Sequence, residues 1–218
     1  MAGLLSAALE DESVRAERIP GKSSLGIEIP NRKREIVRLR DVMESERFQG
    51  SPSKLTFALG KTTLGDPYVT DLAIMPHLLI AGGTGTGKTN ALHALIASVL
   101  NKATPDEVKL LLIDPKRLEF TLYEDVPHLL CPVINDPKKA HIVLMDIVRK
   151  MEERYKKLQG TKTRNIEQYN RHAKEHEGGL EAGLPYIVVI IDELTELMMV
   201  GKDKNLLFPS ELISRPWC

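Results

Sequence analysis

Long apolar runs are missing from this chain. No stretch approaches the roughly 18–20 residues needed to cross a bilayer. The early Leu4-Leu5-Ser6-Ala7-Ala8-Leu9 is too short for a signal-peptide core and has no basic residue before it. Cysteine is nearly absent. Cys131 and Cys218 stand far apart without metal-site spacing, so they read as reduced thiols and not as a disulfide framework. Net charge is missing too, with Lys+Arg and Asp+Glu both at 30. A whole-surface attraction to a polyanion is therefore excluded, and any nucleic-acid contact has to be local or built by several subunits together. Internal repeats and long low-complexity tracts are also lacking. The remaining composition, 42% hydrophobic and 28% charged over 218 residues, fits one ordinary globular domain with room for a small appended one. The expectation is a soluble, cytoplasmic chain without a membrane segment.

What is present is sharper. Gly82-Gly83-Thr84-Gly85-Thr86-Gly87-Lys88-Thr89 satisfies G-x-x-x-x-G-K-[ST], the phosphate-binding loop of nucleotide hydrolases. Backbone N–H groups have to crowd around a polyphosphate, so side chains there are small or absent. Lys88 brings a point charge to the β/γ-phosphates of ATP, and the Thr89 hydroxyl can ligate Mg²⁺. The context agrees. His77-Leu78-Leu79-Ile80-Ala81 reads as a buried strand, and Leu92, Leu95, Ile96, Val99 and Leu100 follow at helical spacing. Strand, loop and helix would put the helix dipole at the phosphate.

Tyr186-Ile187-Val188-Val189-Ile190-Ile191 is a continuous, mostly β-branched run, the pattern of a parallel strand buried on both faces. It ends in Asp192-Glu193, at the strand tip where ligands bind in open α/β sheets. Asp192 fits the holder of the Mg²⁺ water shell. Glu193 fits a general base that orients or deprotonates the attacking water.

The rest of the chain organises around these motifs. Residues 1–50 differ in texture. A short Leu/Ala helix is expected first, then an alternating strand through Leu25, Ile27 and Ile29. The basic stretch Arg32, Lys33, Arg34, Arg38 and Arg40 reads as a solvated face or as a phosphate contact patch. Residues 51–76 predict a hairpin in which Leu55, Phe57 and Leu59 alternate and Gly65-Asp66-Pro67 turns. A second core strand spans 108–113. The helix over about 137–158 should bury Ala140, Val143, Leu144, Ile147, Val148, Met151 and Tyr155. Residues 171–183 read as a mobile polar loop, in which His172 and His176 are not expected to hold a metal. Strands alternating with helices give an α/β fold with a parallel sheet.

Further segments carry a resemblance. These are Ile19-Pro20-Gly21-Lys22, Gly26-Ile27-Glu28-Ile29-Pro30-Asn31 and Asp71-Leu72-Ala73-Ile74-Met75-Pro76-His77-Leu78-Leu79. After them come Ile113-Asp114-Pro115-Lys116-Arg117-Leu118-Glu119, Val126-Pro127-His128-Leu129-Leu130, Met151-Glu152-Glu153-Arg154-Tyr155, Arg164-Asn165 and Tyr169-Asn170. In this order the series resembles the motor region of the FtsK/SpoIIIE family of DNA translocases. The resemblance implies a RecA-like P-loop ATPase core over residues 51–218, with strand order 5-1-4-3-2, preceded by a small α/β accessory domain over residues 1–50. It implies ATP and Mg²⁺ as cofactors, double-stranded DNA as partner, and a homo-hexameric ring that moves chromosomes in cell division or sporulation. Full-length relatives of this kind carry membrane helices and a winged-helix domain outside the motor.

By position, Gly82 to Thr89 match the nucleotide loop, Thr89 and Asp192 the metal residues, and Lys88 and Glu193 the catalytic pair. Asp114, Lys116 and Glu119 match a polar cluster with a role near the nucleotide or simply in a strand-end turn. Residues 201–209 and 215–218 depart from the pattern, which reads as a motor cut short after the acidic strand. On that reading the strand between those ending at Gly82 and Asp192 is missing, so the chain alone should neither fold stably nor pump DNA. A secretion-system ATPase of the same superfamily and a non-hydrolysing nucleotide-binding remnant are the alternative readings.

Overall fold

The computed structural model describes residues 15–18, 24–29, 35–75, 77–83, 85–176 and 183–200. The chain divides into two compact units, residues 1–37 and 38–218. In the first, β1 (Arg15–Arg18) pairs antiparallel with β2 (Leu25–Glu28), Arg15 opposite Glu28 and Arg18 opposite Leu25. Leu25 and Ile27 alternate as expected, yet both remain about half exposed. The initial helix and Arg32 to Arg34 lie outside the described residues. Arg38 and Arg40 are exposed.

The second unit opens with two short helices, α1 (Leu39–Met43) and α2 (Glu46–Gln49). Ser45 caps α2 by accepting the Phe48 N–H. The hairpin β3 (Thr56–Lys61) and β4 (Pro67–Asp71) follows, turning at Gly65, whose φ of 90° is a left-handed value open to glycine. β3 is covered on both faces. Phe57 packs with Leu95 and Ile96, whereas Ala58 packs with Val42 and Phe48, so α1 and α2 belong to this unit. The expected alternation stops at Leu59, which is exposed, because the pairing register shifts between Ala58 and Gly60.

Helix α3 (Lys88–Lys102) buries Leu95, Ile96 and Val99, and strand β5 (Val108–Ile113) is buried except at Lys109. Helix α4 (Pro137–Gly160) starts with proline, and Asp136 caps it by accepting the Lys138 N–H at 2.8 Å. Its buried stripe is Ala140, Leu144, Ile147, Val148, Met151 and Leu158, with Val143 and Tyr155 partly covered. Helix α5 (Ile166–His176) and strand β6 (Tyr186–Ile191) come next, then α6 (Leu194–Val200). No helix among the described residues is long and apolar enough to cross a membrane.

β5 and β6 run parallel in register from Val108–Tyr186 to Ile113–Ile191, the adjacency of strands 2 and 3 in the expected order. Residues 128–134 line the other edge of β5: Leu110 N–H donates to the His128 carbonyl, and Ile134 N–H to the Leu112 carbonyl. Leu110 and Leu112 face α3 and β3, while Leu111 and Ile113 face α4. Both faces of this parallel pair are therefore buried, in an α/β architecture.

Two expectations are corrected. Residues 77–83 form no strand; Leu78 is 41% and Leu79 79% exposed. A strand needs a ladder partner, and the one that the expected order places beside it falls after residue 200, outside the described residues. His172 and His176 lie on a helix, not in a loop, because Tyr169 and Ala173, four apart, bury against Leu158 and Leu184. Asn170 pins the helix further, its amide exchanging two hydrogen bonds with the Leu184 backbone.

Candidate nucleotide-binding site

The glycine loop meets the start of α3. Gly85 and Gly87 hold φ of 79° and 97°, left-handed values that side chains resist. At Gly82 an added Cβ would run into the Thr86 hydroxyl, which itself donates to the Gly83 carbonyl at 2.7 Å. Thr84 lies outside the described residues. Gly87 caps α3 without any side-chain hydrogen bond, so the first N–H groups of that helix are left for a ligand. Lys88 and Thr89 sit partly buried in its first turn.

β6 delivers the acids. The Asp192 N–H donates to the Ile113 carbonyl at 3.1 Å, holding Asp192 beside the end of β5. Glu193 Oε1 accepts the Thr195 N–H at 3.3 Å. Lys116 Nζ lies 3.8 Å from Glu193 Oε2 and 3.6 Å from Glu196 Oε1. Burial pushes the Asp192 carboxyl above its ordinary range, and the charges of Asp114, Glu119 and Glu193 push the same way. Hydrogen bonds from Thr195 hold the Glu193 carboxyl below its ordinary range, helped by the charges of Lys116 and Lys88.

Asp114 is fully buried. Its Oδ2 accepts the Glu119 and Phe120 N–H groups at 2.9 and 3.0 Å, and its Oδ1 is buried without a hydrogen-bond partner. Of the two readings foreseen for Asp114, Lys116 and Glu119, the hydrogen bonds show the strand-end turn. Sequence reasoning missed His93. Its Nδ1 lies 2.9 Å from the Tyr123 hydroxyl, and its Nε2 lies 3.9 Å from Glu119 Oε2. Its position four residues after Thr89, one helical turn on, was the available signal.

These residues fit Mg·ATP. The loop has no side chain to spare at Gly82, Gly85 or Gly87, and Lys88 stands at a helix start. Burial raises the Asp192 carboxyl, and the charges of Asp114, Glu119 and Glu193 act the same way, a setting that a hard divalent cation would relieve.

The model of the FtsK/SpoIIIE family matches residues 38–217. The chain belongs to this family. The FtsK/SpoIIIE match runs through 201–217, correcting the reading that set most of those residues outside the family pattern. The chain is 48% identical over 212 residues to the DNA translocase FtsK of Helicobacter pylori, covering 97% of this chain and 25% of that protein. It is 46% identical over 201 residues to the DNA translocase SpoIIIE of Bacillus subtilis, covering 90% of this chain and 26% of that protein. It therefore spans about a quarter of the length of these FtsK/SpoIIIE relatives.

Among solved structures, the pCW3 conjugation coupling protein TcpA, in a monomer form with ATPγS, superposes with a TM-score of 0.62 at 24% identity, over 97% of this chain and 55% of that one. The cytoplasmic domain of the Type VII secretion ATPase EccC from Thermomonospora curvata gives 0.57 at 23% identity, over 73% and 19%. At such identities the likeness shows the α/β fold that FtsK/SpoIIIE chains share with these proteins.

Proposed function

We propose that this chain is the motor segment of an ATP-hydrolysing translocase for double-stranded DNA. It works as a homo-hexameric ring on the cytoplasmic side of the cell, in chromosome partition at division or sporulation. The observation that carries the reading is the glycine loop itself, with Gly85 and Gly87 in left-handed conformations at the head of α3, together with the acids that follow β6. Gly82 to Gly87 would wrap the phosphates with backbone N–H groups, and Lys88 would neutralise their charge. Thr89 and Asp192 would hold Mg²⁺, which when bound draws charge off the phosphate oxygens. Glu193, kept ionised by Thr195, Lys116 and Lys88, would take a proton from water.

The 48% identity to a protein named as a DNA translocase supports DNA as the transported polymer. The secretion alternative rests on fold likeness below 25% identity. The small β1–β2 unit fits an accessory domain ahead of the motor.

The test uses the full-length protein. Glu193→Gln should keep ATP binding and lose about 10²–10⁴-fold in hydrolysis, the range of a positioned general base. Duplex DNA should raise wild-type hydrolysis. Wild-type turnover from the glutamine variant, or hydrolysis indifferent to duplex DNA, would refute the reading.

A further inference from the structure

Lys116 occupies an unusual place. It stands on the turn after β5, yet its ammonium faces two carboxylates of another element, Glu193 at the tip of β6 and Glu196 in the first turn of α6. The turn that carries it is built. The Asp114 carboxylate accepts two backbone N–H groups from its far side, and the Arg117 N–H donates to the Asp114 carbonyl at 3.2 Å. Arg117 itself adopts a φ of 58°, a left-handed conformation that is strained for a non-glycine residue.

At 3.6 and 3.8 Å, with the Lys116 side chain 45% exposed, such ion pairs add little to folding. Position is what they supply. Glu193 is joined to the start of α6 by the Thr195 N–H at 3.3 Å and by the Thr195 side chain, and its other oxygen faces Lys116. Thr195 holds Oε1, and Lys116, bridging Glu193 Oε2 to Glu196, is the cation placed against the second oxygen.

We propose that Lys116 is a positioning residue for the water-activating carboxylate: its ammonium, held between Glu193 and Glu196, orients Glu193 toward the attacking water. This inference rests on the reading of Glu193 given above. Lys116 touches neither substrate nor reacting atoms; it acts through Glu193.

A double-substitution cycle in the full-length protein tests it, by steady-state ATP hydrolysis with saturating duplex DNA. Lys116→Ala should lower kcat by about ten- to a hundredfold, the effect of a carboxylate displaced by roughly 1 Å, and leave KM nearly unchanged. Lys116→Arg, which keeps the charge, should restore most of the rate. In the Glu193→Gln background Lys116→Ala should add little further loss, because the group it orients is already disabled. Three results would overturn the proposal: unchanged kcat in Lys116→Ala, a raised KM with kcat preserved, or an equal loss in both backgrounds. The second would mark Lys116 as a direct nucleotide contact. Wild-type turnover from Glu193→Gln alone would instead overturn the reading of Glu193 and the inference with it.

Discussion

Asp114 and Asp192 leave the sheet side by side. Ile113 pairs with Ile191 across the parallel ladder, so the residue after each strand emerges at the same level, and the Asp192 N–H still reaches the Ile113 carbonyl. One of the two aspartates is fully buried and bonded into a turn, while the other is partly exposed. Burial raises the Asp192 carboxyl, and the charge of Asp114 beside it adds to the shift.

Removing the buried aspartate has a structural cost. Asp114→Ala strands the Glu119 and Phe120 N–H groups, and each unsatisfied buried donor costs about 1–3 kcal/mol. The urea midpoint should fall accordingly. Asp114→Asn, which keeps an acceptor oxygen, should lose less. An alanine variant as stable as the wild type would contradict this account of the turn.

Nucleotide binding should depend on Lys88 and Asp192 in separable ways. Lys88→Ala removes a charge-assisted contact of about 1.5–3 kcal/mol, or roughly a ten- to a hundredfold loss of ATP affinity. Asp192→Asn should weaken only the Mg²⁺-dependent part. Calorimetry with and without Mg²⁺ separates the two, and an unchanged affinity in Lys88→Ala would remove the loop from the site.

Alkaline pH should loosen the seam between α5 and β6. Burial pushes the Tyr186 phenol up from 10.0 to about 12, assisted by the charge of Glu167 and the hydrogen bond donated to it. A raised value favours the protonated form in the folded state, so this contribution is complete below pH 10.0 and is lost as pH climbs toward about 12. The stability gap between wild type and Tyr186→Phe should therefore be constant near neutral pH and close over that alkaline window. A gap independent of pH would show that Tyr186 titrates as an ordinary exposed tyrosine.

Much of the site was legible in the sequence because its chemistry is local. The glycine loop carries its own spacing, and Asp192-Glu193 is marked by the apolar run that ends there. The parallel pairing of β5 and β6 followed from two continuous apolar strands, and the α4 stripe from simple helical periodicity. Non-local features were not legible. His93 finds Tyr123 and Glu119 only through the fold. The bulge that turns Leu59 outward depends on the register of β3 against β4. Residues 77–81 show the opposite error, for apolarity proposes a strand but only a neighbour can complete one. At His172 and His176 polar, glycine-flanked composition outweighed the quieter pairing of Tyr169 with Ala173.

The helix that begins at the phosphate loop is fastened to the hairpin domainlet at two further points. Ser98 accepts the buried Ala58 N–H at 3.0 Å while donating to the Ala94 carbonyl at 2.6 Å. Four residues on, Lys102 donates to the Phe48 and Gln49 carbonyls at 2.7 and 3.0 Å, with its ammonium 5.1 Å from the centre of the Phe48 ring. These bonds tie α3 to β3 and α2. Lys102 stands about 20 Å from Lys88, the length of α3 at 1.5 Å per residue, so a shift of the loop carried by that helix would be felt at the hairpin.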